Sequence, residues 1–213
     1  MDARREAQVR RDIEQLAREG LDWVTLASEA SDLIATVVAF DRSCWHTVDP
    51  GTVLFTGSVN RDIGCSGAWL AEHEYVIEDV NKWSFLARSG RRAGATGLAT
   101  HGDLSRSARH RSQEAFGIGD ELRGSFVKGG DYWGAAGFLR NQGRDHFSEN
   151  DVAFLAALSE TLADGVRRAL VARVMDADVV ETGDSPGIVL FDGEGQPEMI
   201  LLVSKAGLMN GEP

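Results

Sequence analysis

Residues 43–48 (Ser-Cys-Trp-His-Thr-Val) and 52–57 (Thr-Val-Leu-Phe-Thr-Gly) are β-branched and aromatic, and Asp49-Pro50-Gly51 between them is a tight-turn sequence. A hairpin here commits the chain to an antiparallel sheet, because two strands joined by a short turn must run in opposite directions. A second pair of strand-like segments, 120–128 and 132–140, flanks Gly129-Gly130-Asp131. The later segment, Tyr-Trp-Gly-Ala-Ala-Gly-Phe-Leu-Arg, is rich in small residues, as where a backbone passes close to another part of the molecule.

Helical patterns surround and separate these hairpins. Residues 2–18 are charged, with Val9, Ile13 and Leu16 at helical spacing, and Gly20 ends the run. So narrow an apolar stripe suits a coiled-coil-like seam or a docking face. Asp22 can cap a second helix over 22–39, whose apolar surface is broad enough to lie on a sheet. Residues 66–80 read as a helix, and 81–112 as loop with short helical pieces. Phe147-Ser148-Glu149-Asn150-Asp151 approximates a capping box and opens a long helix to about residue 174, with Leu155, Leu158, Leu162, Val166 and Ala169 as its buried stripe. The acidic stretch 176–187 reads as a linker, 188–192 as a short strand and 197–203 as its partner. The order is that of an α+β fold: an antiparallel sheet with helices packed on one face and a helical or loop cover on the other.

Charge narrows the function. The net charge of −11 argues against direct nucleic-acid binding, which rests on a basic footprint. No apolar run approaches the length of a membrane span, and the charged N-terminus is not a secretory signal, so a cytoplasmic setting is expected. Two cysteines, Cys44 and Cys65, suit a reducing compartment. P-loop, zinc-helix, nucleophile-elbow and Cys-x-x-Cys signatures are absent; His73-Glu74 starts like a zinc helix, but Ile77 stands where its second histidine belongs. A non-enzyme without a cofactor or metal is the expectation.

Three clusters of side chains still invite chemistry. Cys44 and His46, two apart, share one face of a strand. They read as a thiol–imidazole or metal pair, or, with more weight, as a buried cysteine beside a partly exposed histidine. Cys65 lies in a Gly-Cys-Ser-Gly loop and reads as an oxidisable thiol or, with more weight, as a loop filler. Arg88, Arg91, Arg92, Arg106, Arg109 and Arg111 fall in a stretch whose one acid is Asp103. They form either an anion site or, with more weight, a solvated surface; Ser105 can cap a short helix carrying Arg106 and Arg109. Trp45, Phe55, Trp69, Tyr75, Trp83 and Phe85 are concentrated before residue 86 and line a ligand cavity under the helical cover or fill an ordinary core.

A family resemblance adds to this. The Phe147-Ser-x-x-Asp151 entry into an apolar helix, after a Trp133-Gly134…Leu139-Arg140 strand, looks like the C-terminal half of a GAF domain. Cys44-Trp-His-Thr-Val-Asp49-Pro50-Gly51-Thr52, Glu74-Tyr75…Asp79-Val-Asn81-Lys82, Ala99-Thr100-x-Gly102-Asp103-Leu-Ser-Arg-Ser107-x-Arg109 and Gly119-Asp120-Glu121-Leu122-Arg123 are similar to the GAF sensor regions of LuxR-type transcriptional regulators from actinobacteria. The resemblance covers about residues 20–173. It implies a six-stranded antiparallel sheet and a homodimer formed through the N- and C-terminal helices. Residues 187–200 resemble the first hairpin of the PAS-like segment that follows such GAF regions, and no basic DNA-reading helix comes after it, so the output domain is absent from this sequence. The cyclic-nucleotide subgroup pattern fails, since Val152 takes the place of its Glu, and no cysteine stands where bilin-binding members attach their chromophore.

The resulting expectation has three segments: a helical extension over 1–19, a GAF-like sensor domain over 20–174, and a linker with a truncated PAS-like hairpin over 175–213. The domain senses an unidentified small molecule and dimerises. Trp45, Trp69, Tyr75, Trp83 and Phe126 are the candidate pocket residues, and Arg109 and Arg123 the candidate anion contacts. The alternative is a thiol-based redox sensor or sulfoxide-reductase-like enzyme using Cys44 or Cys65.

Overall fold

The computed structural model describes residues 3–64, 67–175, 188–191 and 197–201, with only the backbone course beyond residue 171. The chain divides into two units, 1–172 and 173–213. In chain order the elements of the first are α1 (Ala3–Leu16), α2 (Trp23–Ala35), β1 (Arg42–Val48), β2 (Phe55–Arg61), α3 (Gly67–Ala71) with a π-helical turn (Glu72–Val76), α4 (Trp83–Ser89), β3 (Ala93–Ala95), α5 (Thr96–Ala99), α6 (Ala108–Gln113), β4 (Ile118–Lys128), β5 (Asp131–Asn141), α7 (Glu149–Ala157) and α8 (Ser159–Met175). The five strands form one antiparallel sheet in the order β2–β1–β5–β4–β3. The resemblance implies six strands; the described residues supply five. In the second unit β6 (Ile188–Phe191) and β7 (Pro197–Leu201) pair antiparallel, Ile188 opposite Leu201.

One face of the sheet carries the helical layer. Asp22 caps α2 by accepting from the Val24 and Thr25 N–H groups, and Leu26, Ala27, Ala30 and Ile34 of α2 are buried. Val9, Ile13 and Leu16 of α1 join the same core as Leu158, Leu162 and Val166. Gly165 permits the close approach: a Cβ there would stand 3.1 Å from Leu26 Cδ2 and 3.2 Å from Ala17 Cβ. The α1 stripe and the stripe of the C-terminal helices, both expected to face a second copy, are therefore consumed inside the protomer. The stripes have the period of a seam because they form one, with each other.

Three boundaries differ from the sequence reading, each for a local reason. Strand β2 begins at Phe55 instead of residue 52. Asp49 Oδ1 accepts from Thr52 N (2.7 Å) and Thr52 Oγ1 (2.8 Å), and Val53 adopts φ +64°, which widens the turn. The helix read over 66–80 closes at Val76, in a π-helical turn that inserts an extra residue. The long helix is divided at Leu158. Ser159 Oγ donates to the Ser125 carbonyl (2.6 Å) and accepts from Val127 N (3.1 Å), beside the bulge where the β4–β5 register shifts. The bulge leaves Val127 N without a strand partner, and the helix breaks to supply one. At the start of α7 the capping box forms as read, Ser148 and Asp151 bonding each other's backbone N–H. Among the described residues no helix is long and apolar enough to cross a membrane.

Candidate functional site

Alternation along the strands sorts the candidate residues onto two faces. Trp45, Leu122, Phe126 and Phe138 point into the helical layer. The Trp45 and Phe126 rings lie 5.3 Å apart, and Trp45 Nε1 donates to Ser31 Oγ at 2.8 Å. These two candidate pocket residues thus belong to the closed core; a shift of one position along either strand separates the two faces. Cys44, His46, Gly137, Glu121, Arg123 and Ser125 occupy the opposite face, under α3, the π-helical turn, α4 and α6.

That face is held by charge. Arg123 Nε reaches Glu121 Oε1 at 2.9 Å and its Nη1 reaches Glu74 Oε2 at 3.1 Å. Arg109 Nε reaches the other Glu121 oxygen at 2.5 Å, while Asp79 Oδ2 accepts from Arg109 N (2.7 Å) and Nη1 (3.4 Å). All five side chains are buried. Burial alone would raise the Glu121 carboxyl; the two guanidiniums outweigh it and hold it at about 2. Glu74 sits on the π-helical turn, Asp79 on the following loop and Arg109 on α6, so the network ties three pieces of the cover to β4. The helix carrying Arg109 is capped by Ser107, which accepts from His110 N and donates to Asp79 Oδ2. Ser105, the expected cap, donates to Asp103 instead. Of the remaining arginines in that stretch, Arg88, Arg91, Arg106 and Arg111 are exposed.

The aromatic rings complete the seal. Trp83 is 1% exposed, donates from Nε1 to the Ala136 carbonyl (3.0 Å), and carries the Arg123 guanidinium 3.6 Å from its ring centre. His46 stacks on Phe55 at 4.6 Å and meets Ser58 Oγ through Nδ1 at 2.8 Å. It is fully buried, not partly exposed, and burial with the nearby Arg123 charge pushes it down to about 3. Among the described residues its Nε2 is buried without a hydrogen-bond partner. Cys44 is buried beside Gly137, where an added Cβ would meet Cys44 Sγ at 3.0 Å and Glu121 Oε1 and Trp83 Cζ2 at 3.2 Å. Cys65 lies outside the described residues. Among them no cluster of His, Cys, Asp and Glu suits a metal ion. Tyr75 lies at the rim, its hydroxyl accepting from Phe55 N (2.9 Å) and donating to the Val53 carbonyl (3.3 Å).

Space opens at one end of the same face. A cleft of about 490 Å³ is lined by Arg42, Ile63, Gly64, Trp69, Gln113, Phe116, Ile118 and Leu139. Trp69 stacks on His73 at 4.2 Å, and His73 in turn meets Ser112 Oγ at 3.2 Å, which fixes the α3 wall against α6. Phe116 stands 62% exposed at the rim. Of the seven candidate residues Trp69 alone lines this cleft. Trp83, Arg109 and Arg123 converge on the sealed network, Tyr75 on the β1–β2 turn, and Trp45 and Phe126 on the core. Arg42, Ile118 and Leu139 were missed, although they sit at strand ends facing the cover; Arg42 shares the face of Cys44 and His46 by simple period-two counting. Gln113 and Phe116 lie where the sequence gives no periodic signal.

No family model matches the sequence, and no curated protein matches it. Solved structures do. The GAF domain of a phosphoenolpyruvate-protein phosphotransferase from Coxiella burnetii aligns with a TM-score of 0.53 at 12% identity, over 82% of this chain and 99% of that one. The phycoerythrobilin-bound GAF domain of a cyanobacterial phytochrome gives 0.54 at 12%, over 79% and 97%. Free methionine-R-sulfoxide reductase from Neisseria meningitidis, in complex with its substrate, gives 0.51 at 16%, over 81% and 95%. The shared property is the fold: a GAF-like antiparallel sheet between helical layers.

Proposed function

We propose that this chain is a small-molecule-sensing module of a transcriptional regulator, binding its ligand in the cleft beside Trp69. The cleft itself carries the reading. Its volume falls within the usual range of ligand sites, roughly 300–1,000 Å³, and it is walled mostly by apolar side chains. Solved structures of the same fold hold a bilin or a small substrate, which supports a ligand-binding use of the architecture. The module recognises and does not react: the carboxylates of this face are committed to guanidiniums, and Cys44 is buried. A second copy pairs through the outward surfaces of the N- and C-terminal helices, where Val171 of α8 (49%) remains exposed. Ligand then acts by favouring one arrangement of those helices over another.

A small-molecule screen read by thermal shift and tryptophan fluorescence tests this reading. A hit raises the melting temperature and perturbs Trp69 emission, and Phe116→Ala weakens it. A screen in which no compound moves either signal removes the sensing role. Sedimentation of the wild type and of Val171→Glu tests the pairing: the wild type runs as a dimer and the variant as a monomer.

A further inference from the structure

We infer that the cleft selects a singly charged organic anion, a carboxylate on an apolar frame, with Arg42 as its charge contact and the Gln113 carboxamide as a second polar contact. The inference rests on the cleft being the ligand site.

Three observations carry it. First, Arg42 begins β1, half-buried among Ile63, Trp69, Phe116, Ile118 and Leu139. Among the described residues its guanidinium has no carboxylate within ion-pairing distance and donates no hydrogen bond. The adjacent Asp41 feels the Arg42 charge but is bonded elsewhere, accepting from Asn141 N at 2.8 Å and pairing with Arg144. Second, carboxylates are abundant in this chain, at 33 against 22 Lys and Arg. The other arginines of the sheet are all supplied: Arg61 by Asp32, Arg123 by Glu74 and Glu121, Arg140 by Asp151. A guanidinium that makes no ion pair or hydrogen bond among the described residues, on an apolar wall, has its donors available to a ligand, and a planar carboxylate fits its fork. Third, Gln113 lines the same cleft and its carboxamide makes no hydrogen bond within the described residues, so a hydroxyl or carbonyl on the ligand body has a partner.

The same features set the limits of the class. One guanidinium balances one negative charge. A polyanion such as a nucleoside triphosphate would meet an excess of protein acid with a single cation to oppose it. An apolar amine would set its charge against Arg42. Trp69 and Phe116 favour a flat or aromatic frame over a sugar.

Calorimetry on the full chain with 2-naphthoate, its neutral amide and 2-naphthylmethylammonium tests the class. The naphthoate binds about tenfold or more tighter than the amide, as a charge-assisted pair predicts, and the ammonium binds weakest. Arg42→Gln brings the naphthoate to the affinity of the amide and leaves the amide unchanged; Arg42→Lys recovers part of the difference; Arg88→Gln, at an exposed site outside the cleft, changes nothing. The wild-type comparison of the three probes decides the matter even where an Arg42 variant folds poorly. If the amide or the ammonium equals the naphthoate, or Arg42→Gln leaves naphthoate binding intact, the anion class is overturned while the cleft stands as a ligand site. If none of the three binds, the inference falls, and the wider screen decides the sensing role separately.

Discussion

The Arg123 guanidinium sits 3.6 Å from the centre of the Trp83 ring while its Nε and Nη1 are paired to Glu121 and Glu74. One cation is thus stacked, doubly paired and buried at once, and it joins strand β4 to the helix and the turn above it. Removing it leaves Glu74 in the interior without its counter-charge and Glu121 with Arg109 alone. Arg123→Ala should cost about 3–5 kcal/mol, the scale of breaking a buried pair from one side. Arg123→Lys should recover only part of that, because a point ammonium cannot span both carboxylates and lie over the ring. Urea unfolding of the three proteins checks the order.

Acid should destabilise the fold through two groups acting in the same direction. His46 is held neutral, its pKa down from 6.5 to about 3. The unfolded chain therefore takes up a proton between those values that the folded chain refuses, and stability falls as pH drops through that window, by up to about 1.4 kcal/mol per pH unit. Glu121, lowered from 4.5 to about 2, extends the loss at the acid end. His46→Gln should flatten the profile between pH 6.5 and 4.5 and make it shallower below that, where the Glu121 contribution remains. Unfolding free energies measured at pH 7, 5.5, 4.5 and 3.5 give both limbs.

Gly137 is required by space. A methyl there meets a sulfur, a carboxylate oxygen and an indole carbon at 3.0–3.2 Å, none of which is the loose end of a flexible side chain. Gly137→Ala should cost about 1–3 kcal/mol by overpacking. Gly67→Ala, at the start of α3 with nothing within 4 Å, should be neutral or slightly stabilising. Thermal melts of the pair separate crowding from a generic glycine effect.

The capping box that opens α7 is exposed to a simple test. Ser148→Ala removes the acceptor for Asp151 N and one of the donors to Asp151 Oδ2. A loss of about 1 kcal/mol is expected, and Ser148→Thr should restore most of it. Chemical denaturation resolves a difference of that size.

The signals that were legible in the sequence are those with a period or a local partner. Asp22 and Ser148 cap the helices they were read to cap, and the second hairpin turns at Gly129-Gly130, both at positive φ. The motif Gly119-Asp120-Glu121-Leu122-Arg123 is explained residue by residue. Gly119 passes so close to the Asn141 carbonyl that a Cβ would stand 2.7 Å away. Asp120 accepts from the N–H groups of Gly97, Glu121 and Phe147. Leu122 faces the core, while Glu121 and Arg123 face the cover.

What stayed hidden was pairing between distant segments. Arg109 reads as one of six surface arginines until Asp79 and Glu121 are brought to it by the fold. The π-helical turn is equally silent in the sequence, although it carries Glu74 to Arg123. Aromatic content likewise says that a face is apolar and not whether it is filled: Trp83 closes the site in which it was expected to receive a ligand, and the cleft opens at Trp69 on α3.

The Ser159 hydroxyl bridges the bulge in β4, bonded on both sides to strand backbone. It makes the first residue of α8 a rivet between the sheet and that helix. Any shift of the strand near Phe126 and Val127 must therefore either carry the start of α8 with it or strip a buried hydroxyl of both partners.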